Sequence, residues 1–243
     1  MEMPPAGATP GVDATHPAGL DDPRAPQFLA TEHWSLLATR SMSWNEAFSR
    51  TGMFLSTLSA ATVALALAGP AMAFGPAFTL FALVILSVTL FLGVATFVRL
   101  SQVNNEDLYW VYGMNLLRNA YVRLVPGIEH SFIAGHTLDA AGLAKSFGAV
   151  DVTSRMPVLH MLVTTPAVVG VISSAIAGVM AGLLAVELRS GMEIAIVLGV
   201  LAFLVAVSLF VTYGQREANK YIARMLRLEA DRAAAEAAAQ HLR

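Results

Sequence analysis

Four stretches of this chain are long enough to cross a lipid bilayer and carry no Asp, Glu, Lys, Arg or His. They run from about Thr51 to Met72, Ala77 to Val98, Met161 to Val186 and Ile194 to Tyr213. About 20 mostly apolar residues cover a hydrocarbon core of ~30 Å. In that medium every backbone N–H and C=O needs an internal partner, which a helix supplies. The predicted fold class is therefore an all-α membrane protein with four transmembrane helices. Gly69-Pro70 and Gly75-Pro76 mark a first tight turn, and Ser190-Gly191 marks a second, so the spans pair as two in-out-in hairpins. Pro70 sets a soft end to the first span, by stopping or kinking it.

Arg and Lys placement orients the hairpins. Of fifteen basic residues, only Arg189 lies in a hairpin turn. Arg50 precedes span one, Arg99 follows span two, and Arg118, Arg123, Lys145 and Arg155 lie between the hairpins. Arg216, Lys220, Arg224, Arg227 and Arg232 follow span four. The bias places both termini and the middle segment in the cytoplasm of a cell whose inner membrane holds the protein. Heavy use of Arg over Lys, beside many Ala, fits a bacterial coding bias.

Charged residues make up only 13% of the chain, against about 25% in soluble domains. The net charge of −2 gives no basic field for nucleic acid. With no cysteine, disulfides, thiolate nucleophiles and thiolate metal sites are excluded. Residues 1–27 hold six of the eleven prolines and too little apolar surface to offset ordering entropy, so they are expected to be disordered.

Spans one and three share small residues at every fourth position: Ser56, Ala60, Ala64 and Ala68 in the first, and Gly170, Ser174, Gly178 and Gly182 in the third. Such faces let membrane helices approach closely. They predict a tight contact between spans one and three. Spans two and four, with Leu80, Leu90 and Phe91 among their bulky residues, would then face lipid. Phe97-Val98 with Gln102 echoes Phe210-Val211 with Gln215, either as a trace of duplication or as chance.

Outside the spans, residues 28–50 read as a helix capped by Thr31, with Trp34, Leu37, Trp44 and Phe48 on one side, either lying in the membrane interface or packed on the cytoplasmic segment. It feeds the first hairpin, 51–100. The middle segment, 101–160, holds a helix over 101–125, stopped by Pro126-Gly127, and a short helix capped by Thr137. The second hairpin, 161–213, leads to a C-terminal helix, 214–243. Its apolar patch of Tyr221, Ile222, Met225, Leu226 and Leu228 suits packing on the middle segment or on another subunit.

No nucleotide loop, nucleophile elbow or zinc-protease motif occurs, so no catalytic residue, resident metal or cofactor is expected. Glu129, His130, His136 and Asp139 are residue types that bind metals or move protons, although their spacing matches no standard ligand motif. His160, at the entry to span three, could titrate or simply anchor the interface. Pro166 leaves a carbonyl that can open a cavity or produce a kink.

The run His33-Trp34-Ser35-Leu36-Leu37-Ala38-Thr39-Arg40 with Trp44-Asn45, and the runs Ala95–Leu100 and Asn115–Arg118, resemble a group of bacterial four-helix integral membrane proteins with no assigned activity. The resemblance implies membrane location and architecture only. Buried ionisable groups, the usual mark of pumps and coupled transporters, are absent from these spans. The expected function is a non-enzymatic, self-assembling membrane protein, a scaffold or passive channel. Its partners are the lipid bilayer and a second copy of itself. The alternatives are an accessory subunit docking a cytoplasmic or membrane partner, and a sensor or enzyme using His130, His136 and Asp139.

Overall fold

The computed structural model describes residues 19–147 and 164–241. These residues are helical with short connections, and no strand occurs among them. The order is α1 (Ala25–Ala71), α2 (Pro76–Leu124), a 3₁₀ turn (Ile128–Ser131), α3 (Ala140–Ser146), α4 (Thr165–Glu187) and α5 (Met192–His241). Four of them, α1, α2, α4 and α5, are long and apolar enough to cross a membrane.

Three of these helices greatly exceed a bilayer. α1, α2 and α5 have 47, 49 and 50 residues. At 1.5 Å rise per residue each is roughly 70–75 Å long, more than twice the ~30 Å hydrocarbon core. The expected boundary at residue 50 between an interfacial helix and span one is an unbroken helix. Thr31 lies inside it, and its hydroxyl donates to the Gln27 carbonyl at 2.9 Å. No Pro or Gly-rich break separates the charged and apolar stretches, so the hydrogen-bond ladder simply continues. Pro residues mark starts instead: α1, α2 and α4 each have Pro in their first positions, where the missing N–H has no intrahelical role. Pro166 therefore begins α4 and does not kink it. The expected start of span three at Met161 lies outside the described residues.

The α1–α2 turn is tight. Ala73 and Phe74 both have positive φ, 49° and 51°, and the Phe74 N–H donates to the Gly69 carbonyl at 3.0 Å. This folds the Phe74 ring over Gly69, where a Cβ would overlap it.

α2 is the hub, packing along α1 on one side and α4 on the other, with α5 touching it as well. α1 and α4 share no extended contact, which corrects the expected pairing of spans one and three. The reason is a second set of inward positions on α2: Ala82, Leu86, Thr89, Gly93, Thr96 and Leu100 are all buried. Leu80 and Phe91 do point outward, 67% and 71% exposed, but from the opposite side of that same helix. Small residues at Thr89, Gly93 and Thr96 let neighbours close in. A Cβ at Gly93 would come within 2.9 Å of the Phe54 ring of α1 and would overlap Ser173 of α4. The core here joins Phe54, Leu86, Phe97, Leu100, Val169 and Ile176.

The two small-residue stripes end differently. A four-residue step advances about 400° around a helix, so each stripe drifts by about 40° per step. On α1, Ser56 and Ala60 are exposed, and the drift brings Ala64 and Ala68 to half-buried positions. On α4, Gly170 meets Phe97 and Phe210, Gly178 meets Gly199 and Phe203, and Gly182 meets Ala195. Ser174 is fully buried, its hydroxyl donating to the Gly170 carbonyl at 2.8 Å.

Candidate functional site

The most elaborate polar construction joins the charged half of α1 to that of α2. Arg40 and Trp44 stand one helical turn apart and both reach Asp107. The Arg40 Nε and Nη2 donate to the two carboxylate oxygens at 2.5 and 3.0 Å, and the Trp44 indole N–H donates to Oδ1 at 2.9 Å. The Asp107 side chain is only 6% exposed. A carboxylate so buried is tolerable because three charge-assisted or strong donors replace water. Trp44 therefore does not share the outward side of Trp34 and Phe48, as its spacing suggested. Toward the apolar half, Arg99 bridges Glu46 and Glu106 at 2.8 and 3.1 Å, and Arg50 adds a bond to Glu46 at 2.9 Å. The hydrogen bonds from Arg99 and then Arg50 hold the Glu46 carboxyl below its ordinary range.

Two turns further along α2, Asn115 is fully buried and anchors the segment that follows α2. Its amide donates to the Thr137 carbonyl at 3.1 Å, and its oxygen accepts from Arg118 at 2.8 Å and from the Ser146 hydroxyl at 2.6 Å. Gly135 lies beneath, where a Cβ would overlap the backbone of Gly142. His33 of α1 stacks on Tyr121 with ring centroids 6.0 Å apart. Burial, and then the Arg118 charge, push the His33 imidazole below its usual value. Burial also lowers Arg118, with Arg40 adding repulsion. Among the described residues Arg118 forms no ion pair with a carboxylate. The cluster is thus a lock of α1, α2 and α3 with surplus positive charge at its centre. Protonating His33 adds another cation to it.

The residues singled out from sequence lie apart from this lock or serve it locally. Asp139 is the N-cap of α3, its Oδ1 accepting from the Gly142 N–H at 2.8 Å and the Thr137 hydroxyl at 2.6 Å. The bond from Thr137 and then that from Gly142 hold its carboxyl below the usual range. The cap expected at Thr137 is thus at Asp139, whose carboxylate faces the first-turn N–H groups. His130 has 87% of its side chain exposed, with its Nε2 4.0 Å from Glu129. His136 is half-buried. Among the described residues no three His, Asp or Glu side chains are gathered to hold a metal ion. His160 lies outside the described residues.

Arg40, Asp107, Asn115 and Arg118 were missed because partners 67 or 22 residues apart leave no local pattern. The available signal was an Asp, an Asn and an Arg placed on the apolar period of one helix. The runs His33–Arg40, Trp44-Asn45, Ala95–Leu100 and Asn115–Arg118 lie on α1 and α2 and contribute Arg40, Trp44, Arg99, Asn115 and Arg118 to these contacts. No protein-family model, curated protein or solved structure matches the chain.

Proposed function

We propose that this chain is a multi-pass protein of the cell inner membrane that self-associates through the outer face of α1 and serves as a non-enzymatic scaffold. In this reading the helices cross the bilayer as two in-out-in hairpins, with both termini and the middle segment in the cytoplasm. The crowding of basic residues at one end of the helices supports that orientation.

One observation carries the self-association. Trp34, Met42, Ser56 and Ala60 fall within about 80° of one another around α1 at 100° per residue. They form a face opposite the buried Ala47, Phe54 and Ala61. Trp34 and Met42 are 71% and 72% exposed, and both lie in the charged half of the helix, where lipid tails do not explain them. Farther along, Ser56 and Ala60 give the same face a small-residue surface of the kind α4 uses against α5. An apolar stripe running from water into lipid suits a matching stripe on a second copy. Ser174 and Gly178 are packed between helices, so the scaffold form is favoured over a passive channel lined by them.

The chain has no cysteine, which makes the test clean. Ser56→Cys should give a covalent dimer on mild oxidation in native membranes, and the protein in lipid nanodiscs should show a mass of two or more copies. A monomeric mass with no cross-link would refute self-association. Stoichiometric co-purification of a different protein in place of a second copy would favour the accessory-subunit reading.

A further inference from the structure

We propose that the groove between α2, α4 and α5 is a binding site for one anionic phospholipid, its acyl chain lying in the groove and its phosphate held by Arg216. The groove measures about 460 Å³ and is walled by Leu90, Phe97, Ala177, Ala206 and Phe210, with Arg216 at one end. Two of these residues, Phe97 and Phe210, pack edge to face with centroids 4.5 Å apart. Ser173 also lines it, and among the described residues its buried hydroxyl has no hydrogen-bond partner.

Dimensions and charge both select the occupant. Ala206 and Arg216 are ten residues apart on α5, about 15 Å along the axis. That is half of a ~30 Å hydrocarbon core, the depth of one leaflet. An acyl chain entering beside Arg216 would therefore end near the bilayer middle, as its neighbours in the leaflet do. Lys220, one turn further along α5, pairs with Glu217, and Arg99 of α2 pairs with Glu46 and Glu106. Among the described residues Arg216 has no ion pair or side-chain hydrogen bond. A guanidinium at the end of an apolar slot, with a fork that fits two phosphate oxygens, is complementary to a phosphoglyceride.

This inference rests on the membrane-spanning reading but not on self-association, since the groove lies across α2 from the outer face of α1. The test is native mass spectrometry of the full chain released from detergent, with phosphatidylglycerol or phosphatidylcholine added. Lipid bound per chain is counted whatever the number of copies. Phosphatidylglycerol should be retained about fivefold better than phosphatidylcholine, the factor expected of one interfacial Arg. Arg216→Gln should erase that preference, and Ala206→Phe should reduce retention of both lipids. Glycerol phosphate alone should not compete. Equal retention of the two lipids by the unmodified chain, or unchanged retention in both variants, would overturn the proposal. So would competition by glycerol phosphate, which would indicate a headgroup site without a chain.

Discussion

The α4–α5 pair and the charged halves of α1 and α2 are both antiparallel helix contacts, yet they are built from opposite materials. Between α4 and α5 the backbones themselves meet: a Cβ on Gly178 would lie 2.8 Å from the Gly199 carbonyl oxygen, and one on Gly199 would lie 3.0 Å from that of Gly178. Between α1 and α2 the contact is made by long side chains, with Arg40, Trp44 and Arg99 reaching Asp107, Glu46 and Glu106. The difference follows from the solvent. Lipid tails are as apolar as Leu, so helices within them gain little from hydrophobic contact and depend on close packing. Outside the hydrocarbon, charge is soluble and an ion pair shielded by an indole gives direction and register. α2 takes part in both regimes. Its Gly93 end is crowded by Phe54 and Ser173, and its Asp107 end is gripped by charge.

The largest effect should come from breaking the charged contact. Asp107→Ala leaves the half-buried Arg40 guanidinium and Trp44 N–H without their acceptor, and the loss should approach that of a broken buried pair, about 3–5 kcal/mol. Chemical unfolding in detergent should show that loss. The paired change Arg40→Met with Asp107→Leu should recover much of it, because no orphaned charge remains. A drop below about 1 kcal/mol for Asp107→Ala, the range of an exposed pair, would mean that the charged contact is decorative.

Gly178→Leu attacks the other contact and should cost about 1–3 kcal/mol by overpacking. Unlike the charged contact, this one should not respond to salt. A cysteine pair placed across α4 and α5 should cross-link less readily in that variant, while a pair across α1 and α2 is unaffected. Equal loss at both positions would erase the distinction between the two regimes.

The smallest effect concerns pH. The folded-state His33 binds its proton less readily than the unfolded chain does, through burial and the Arg118 charge. Its contribution is therefore complete above the ordinary His value near 6.5 and is lost as pH falls through the lower folded value. His33→Phe keeps the stack on Tyr121 and should flatten the stability–pH curve of the charged halves below about pH 6.5. A slope unchanged by that substitution would place the titration elsewhere.

The apolar spans and their tight turns are legible in the sequence because bilayer thickness imposes a length on any helix that crosses it. The turns at 72–75 and 188–191 fall where Gly and Pro crowd or Ser meets Gly. Less legible is the continuity of α1 and α2 through the boundary, since a helix needs no signal to keep going. The hub role of α2 is not legible because its bulky Leu80 and Phe91 face outward, whereas small Thr89, Gly93 and Thr96 do the packing. The lock around Asp107 and Asn115 could not be read at all from local spacing. Its members are brought together only when α1 and α2 align, and Asp107 looks like an ordinary surface acid until Trp44 covers it. His130 and His136 are metal- and proton-binding residue types, but residue type says nothing of whether a fold gathers them.

The proposed topology puts the charged halves of α1, α2 and α5 on one side of the membrane and the two tight turns on the other. Single cysteines replacing Glu32, Ile133 and Gln215, and replacing Met72 and Gly191, report this in a chain that otherwise has none. All five positions are exposed. With a membrane-impermeant maleimide on intact cells, Met72→Cys and Gly191→Cys should label, and the other three should label only after the cells are opened. Labelling of Glu32→Cys or Gln215→Cys from outside, or protection of both turns, would contradict it.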